Sequence, residues 1–98
     1  MWTQGHQLQS RPYQILRQLG HGGFGLTFLA QDLSLNRQVV IKAPNRALER
    51  DQDYDKFTRR FRREGEALAK ITHPHVVQVI ELFQEEKIPC LVLAYIEG

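Results

Sequence analysis

A glycine-rich loop sits between two β-rich runs, and a lysine closes the run that follows. The loop reads Leu19-Gly20-His21-Gly22-Gly23-Phe24-Gly25-Leu26-Thr27, and the lysine ends Val39-Val40-Ile41-Lys42. Glycine lacks a Cβ, so backbone N–H groups in such a loop can approach an anion closely. A chain that enters the loop extended and leaves it extended must fold there as a hairpin. The order of strand, glycines, strand, turn, strand, lysine describes a backbone cradle for phosphates with a fixed cation beneath it. The alternative is a glycine-rich hairpin turn with no ligand.

Gly20, Gly22 and Gly25 also have the spacing of a dinucleotide-binding loop. That loop opens a helix, however, and it wants an acidic residue about 20 positions on. Here the loop opens into a β-rich run, and Ile41-Lys42 stands near the acidic position. The other common phosphate loop needs Gly-Lys-Ser/Thr, which is absent.

The chain organises around this loop. Residues 1–12 are polar and end in Pro12, and they read as a flexible lead. Strands are predicted from Tyr13 to Leu19, from Leu26 to Ala30 and from Gln38 to Ala43, the last nearly all apolar and therefore central. Pro44-Asn45 breaks it. Asp51 and Asp53 signal a helix start, and the helix is predicted to run to about Ile71, with Thr72-His73-Pro74 as its stop. Fourth and fifth strands follow at Val76–Phe83 and Cys90–Ile96, joined by the polar turn Glu85-Glu86-Lys87. The fold class is α+β: a five-stranded antiparallel sheet with one long helix on one face.

Lys42 ends an apolar strand. Facing inward, its ammonium needs an anion, since an unpaired buried charge is costly; facing outward, it reaches solvent as lysines usually do. Phe57, Phe61, Glu64, Leu68 and Ile71 step by four, three, four and three, which places Glu64 on the buried helix stripe. Glu66 lies about 200° away around the axis. A glutamate among apolar residues needs a partner, and Lys42 fits that need. The alternative is a Glu64 at the stripe's edge that reaches water. Gly65 weakens the helix by up to about 1 kcal/mol relative to alanine.

At 98 residues the chain is one domain or part of one, with 42% apolar and 24% charged residues, as in soluble globular proteins. A net charge of +2 gives no argument for nucleic acid. Arg59, Arg60, Arg62 and Arg63 cluster locally and read as a solvated helix face. Residues 1–6 do not form a signal peptide, and the apolar stretch Ile88–Ile96 is far shorter than the roughly 20 residues of a membrane helix. With Cys90 as the single cysteine, no internal disulfide forms; a reducing, cytoplasmic setting and a core thiol are the expectation. His73 and His75 read as loop and packing residues, and no residues stand at metal-site spacing.

In this order the chain resembles the small, N-terminal lobe of a protein kinase, most like the bacterial Hanks-type serine/threonine kinases. The resemblance runs from Tyr13 to Gly98. Its carriers are the glycine loop, Val39-Val40-Ile41-Lys42, Phe61-Arg62-Arg63-Glu64, His73-Pro74-His75-Val76-Val77 and Leu91-Val92-Leu93-Ala94-Tyr95. The resemblance implies that residues 13–98 are a partial kinase domain ending at the hinge. It implies that Gly20, Gly22, Gly23, Phe24 and Gly25 cover the ATP phosphates, and that Lys42 holds the α- and β-phosphates while pairing with Glu64. Leu19, Thr27 and Val40 would form the adenine ceiling, Leu93 the gatekeeper, and Ala94 to Ile96 the hinge. Leu68 and Val79 would join the hydrophobic spine that links the lobes. Thr27, Val40 and Ala94 depart from the family's usual valine, alanine and acidic residue.

The family's function is transfer of the ATP γ-phosphate to protein Ser/Thr hydroxyls. Its partners are ATP, magnesium and a protein substrate, with neither nucleic acid nor membrane contact implied for these residues. The sequence stops at Glu97-Gly98, where the hinge would enter the large lobe. The catalytic loop, the metal-binding aspartate and the magnesium ligands would belong to that lobe, so these 98 residues alone are expected to transfer no phosphate. The alternatives are a standalone module that binds nucleotide or protein, and a small α+β domain unrelated to nucleotides.

Overall fold

The computed structural model describes residues 2–21, 25–44, 54–69 and 78–95. Five strands and one helix follow one another: β1 (Tyr13–His21), β2 (Gly25–Asp32), β3 (Arg37–Pro44), α1 (Tyr54–Ala69), β4 (Val79–Glu85) and β5 (Ile88–Ala94). They form one sheet in the order β1-β2-β3-β5-β4, with every neighbouring pair antiparallel. The expected fold class holds, and β3 is central, paired with β2 on one side and β5 on the other. The predicted helix start at Asp51 and Asp53 and its stop at Thr72–Pro74 lie outside the described residues.

Local chemistry sets both tight turns. After β2, the Asp32 carboxylate accepts hydrogen bonds from the Ser34 backbone N–H (3.0 Å), the Ser34 hydroxyl (2.7 Å) and the Leu35 N–H (3.3 Å). Burial pushes the Asp32 carboxyl up, but the Ser34 and Leu35 hydrogen bonds and the nearby Arg37 outweigh it, and its pKa falls below the usual value. Asn36 closes this turn at φ 52°, a left-handed conformation that asparagine tolerates. Between β4 and β5, Glu86 (φ 49°) and Lys87 (φ 69°) are both left-handed, as a two-residue hairpin turn that matches the strand twist requires.

Strand alternation divides the apolar residues between two faces. One face carries Ile15, Phe28, Ala30, Val39, Ile41, Cys90 and Val92, all fully buried, joined by Phe83 and Ile88. The other carries Val40, Val79, Leu82, Leu91 and Leu93, packed against Phe61 of α1.

The expectation of a flexible lead at 1–12 is corrected. Residues 2–12 fold back along β1: the Gly5 N–H donates to the Ile15 carbonyl (2.8 Å), Ile15 N–H to the His6 carbonyl (2.8 Å) and Leu8 N–H to the Tyr13 carbonyl (2.9 Å). Gly5 stands at φ +88°, where a side chain would be strained. Leu8 is buried, and the half-buried Trp2 packs its ring 5.2 Å from that of Phe28. The segment then reaches the opposite edge of the sheet. Glu85 of β4 accepts the Gln9 N–H (2.7 Å) and the Ser10 N–H (2.8 Å). Glu81 accepts from Arg11 (2.9 Å) and from the Tyr13 hydroxyl (2.5 Å). Polar composition hid this strap because its anchors are backbone N–H groups and carboxylates far away in sequence.

Candidate nucleotide site

The two arms of the glycine loop are held by the β1–β2 hairpin. Gly20 pairs with Thr27, and the ladder steps from Gln18–Phe28 to Gly20–Thr27, so Leu19 has no residue opposite and stands 38% exposed. Gly25 pairs with Pro44, and a Cβ placed on it would lie 3.2 Å from the Ala43 carbonyl oxygen. That neighbour is backbone in a central strand, so a side chain at 25 needs a few tenths of an ångström of give between the loop's outgoing arm and β3. Gly20 has open space where its Cβ would be. Gly22, Gly23 and Phe24, at the loop tip, lie outside the described residues, as does Ile96 of the expected hinge.

Register brings most of the remaining expected residues together. Thr27 stands opposite Lys42, and Lys42 opposite Leu91. One pair along, Val40 stands opposite Leu93. Thr27, Val40, Lys42, Leu91 and Leu93 therefore share the α1 face of the sheet, with Val40 and Leu93 in one apolar cluster. Leu93 also pairs with Val79 on β4. The Ala94 N–H donates to the Gln78 carbonyl (3.0 Å), so a bond from Ala94 to a ligand has to come from its carbonyl. The result is an apolar floor beside the Lys42 cation, next to a loop arm whose Gly25 leaves little room for a Cβ.

Lys42 takes its solvent-facing alternative, and the expectation for Glu64 is corrected. Lys42 is exposed and makes no ion pair among the described residues, so its ammonium stays hydrated and needs no buried counterion. Glu64 is not on the packed stripe. Its side chain is 52% exposed and its carboxylate accepts from Arg60 Nε at 3.1 Å, one helical turn back. Among the α1 residues whose side chains are described, Phe61 and Gly65 are the buried ones. The stripe runs through 61 and 65 because Gly65 has no side chain to hold the helix away. Phe57 and Leu68, expected on the same stripe, have side chains outside the described residues. The Arg60–Glu64 spacing was legible in the sequence as an i, i+4 pair; the seat at Gly65 was not.

Cys90 is a core thiol, as expected. It is fully buried, and burial, with the Glu85 carboxylate adding to it, pushes its pKa up to about 12. It is inert toward nucleophilic chemistry. Arg59, Arg60, Arg62 and Arg63 are exposed on α1 with Lys56. Among the described residues, no three His, Cys, Asp or Glu side chains cluster to hold a metal ion, and no helix is long and apolar enough to cross a membrane.

The protein kinase domain family matches residues 13–98. The chain belongs to the protein kinase family. Among curated relatives, the serine/threonine-protein kinase PrkC of Bacillus subtilis is 38% identical over 94 residues, which is 96% of this chain and 14% of that protein. The serine/threonine-protein kinase PksC of Streptomyces coelicolor is 39% identical over 98 residues, 96% of this chain and 17% of that one. Among solved structures, the PknI kinase domain of Mycobacterium tuberculosis superposes with a TM-score of 0.70 at 26% identity, covering the whole of this chain and 38% of that domain. The apo form of PpkA-294 superposes at 0.81 with 19% identity over the whole chain and 40% of that structure, a likeness of fold alone. This kinase chain thus spans a small part of the curated relatives and well under half of the solved domains it matches.

Proposed function

We propose that this chain is the ATP-binding lobe of a serine/threonine protein kinase, which in its complete form transfers the ATP γ-phosphate to protein hydroxyls. One observation carries the reading. The Lys42 ammonium, with no ion-pair partner among the described residues, stands in the row Thr27–Lys42–Leu91, beside the apolar Val40–Leu93 pair and near Gly25, where a Cβ would crowd β3.

These residues fit a nucleotide. Val40 and Leu93 offer apolar surface to a base, with Leu19 and Thr27 at its border and the Ala94 carbonyl at its polar edge. Lys42 offers a point charge to phosphate oxygens, and Gly20 and Gly25 frame the loop above it. Glu64 is the counterion for Lys42 once it leaves Arg60. Gly22, Gly23, Phe24 and Ile96 complete the set by the family pattern. Bound magnesium would neutralise charge on the phosphates; its ligands belong with the catalytic loop and the metal-binding aspartate of the large lobe. These 98 residues by themselves therefore transfer no phosphate. Cytoplasmic placement agrees with the single buried thiol.

The test is titration of the chain with MgATP, and turnover of the complete kinase, with and without Lys42→Met. Phosphorylation by the complete enzyme should fall by about two to three orders of magnitude, the scale of losing one preorganised charge stabiliser. The fold should be unaffected, because Lys42 is exposed. Nucleotide binding and turnover indifferent to Lys42 would overturn the reading and favour a protein-docking module.

A further inference from the structure

Gly65 is buried in the interior of α1. A Cβ built on it would lie 3.3 Å from Leu91 Cδ1 and 3.6 Å from Leu82 Cδ1. Leu91 is the residue opposite Lys42 in the β3–β5 ladder, and Leu82 is opposite Leu91 in the β4–β5 ladder. The helix therefore touches the sheet in the row that contains Lys42, at the residue directly after Glu64. Glycine is a poor choice inside a helix on propensity alone, and Gly65 shows no positive φ that would demand it. What its missing side chain gives is a short distance between α1 and the sheet.

That distance acts on Glu64. The carboxylate contacts Arg60 on its own helix at 3.1 Å, and the pairing proposed above gives it Lys42 on β3 as a second partner. The Arg60 contact lies within the helix and does not depend on how α1 sits. Contact with Lys42 does, because the two groups belong to different elements. We propose that Gly65 is the positioning residue that seats α1 on Leu82 and Leu91 and so keeps Glu64 within reach of Lys42. A side chain at 65 shifts the choice toward Arg60. The inference rests on Lys42 and Glu64 pairing in the working lobe.

Carbodiimide coupling tests both statements separately. The reagent joins an amine to a touching carboxylate as an amide, and peptide mass spectrometry locates the product. The native chain should yield a Lys42–Glu64 cross-link that Glu64→Gln abolishes. Gly65→Ala should lower the yield about twofold and Gly65→Val about fivefold, because alanine needs a few tenths of an ångström of give and valine adds two further methyls. Leu91→Val removes the δ-carbon that alanine would meet, so Gly65→Ala with Leu91→Val should return to the yield of Leu91→Val alone. Circular dichroism melts confirm that each variant compared is folded. If Gly65→Val does not fold, the alanine and Leu91→Val pair decides. A purely helix-stabilising effect of alanine would ignore Leu91. Equal yields with glycine, alanine and valine overturn the role of Gly65 and leave the pairing intact. No cross-link in the native chain overturns the pairing and the inference with it.

Discussion

On the face of the sheet that carries Phe28, Ile41 and Val92, the polar groups that enter the interior are matched. Glu85, 1% exposed, receives two backbone N–H groups from the strap, and Asp32 receives three donors from its own turn. On the face that carries Val40, Lys42 and Leu93, the cation has no ion-pair partner among the described residues, and Glu64 of α1 pairs with Arg60 on its own helix. The first face is closed by the chain itself: the strap covers the free edge of β1 and ties it across to β4. Among the described residues, the second is covered by α1 through Phe61 and the bare backbone of Gly65. A surface finished on one side and left with an open charge on the other is what a lobe needs if a ligand is to supply the missing anion.

The comparison breaks most visibly in the closed core. Phe28→Ala removes a fully buried ring that packs against Trp2, and it should cost about 3–5 kcal/mol in denaturant unfolding. A loss below about 1 kcal/mol would mean that the closed face is not the main source of stability.

Glu85→Gln comes next. It exchanges charge-assisted hydrogen bonds for neutral ones and should cost about 1–2 kcal/mol at neutral pH. Its pH dependence sharpens the point. Burial raises the Glu85 pKa, but the Gln9 and Ser10 hydrogen bonds, with His6 nearby, bring it below the usual value. A depressed folded pKa gives stability that is present above the unfolded pKa and lost as pH falls through the folded one. Melting temperature should therefore drop less on acidification in Glu85→Gln than in the native chain, and proteolysis of Glu85→Gln should begin in residues 2–12.

The smallest effect belongs to the open face. Arg60→Gln removes an exposed pair, with side chains 68% and 52% exposed, and should change stability by no more than about 0.5 kcal/mol. It should nevertheless raise the yield of Lys42–Glu64 cross-link, because it removes the competing cation. A large loss of stability would show that the open face is as tightly built as the closed one.

The sequence by itself determined the element order, the antiparallel hairpins, the central position of β3 and the nucleotide motif. Each of these is written in local patterns: alternation in the strands, glycines at the loop, the polar turn at 85–87, and a lysine at a strand's end. The tertiary structure alone decided three things. It showed that residues 2–12 are a packed strap, since the partners of Gln9, Ser10 and Arg11 are carboxylates on β4, distant in sequence. It seated α1 on the sheet at Gly65, where the missing side chain lets the helix lie close to Leu82 and Leu91. And it left Lys42 and Glu64 apart, because the choice of a charge between two partners depends on the distance between elements, which no single element encodes.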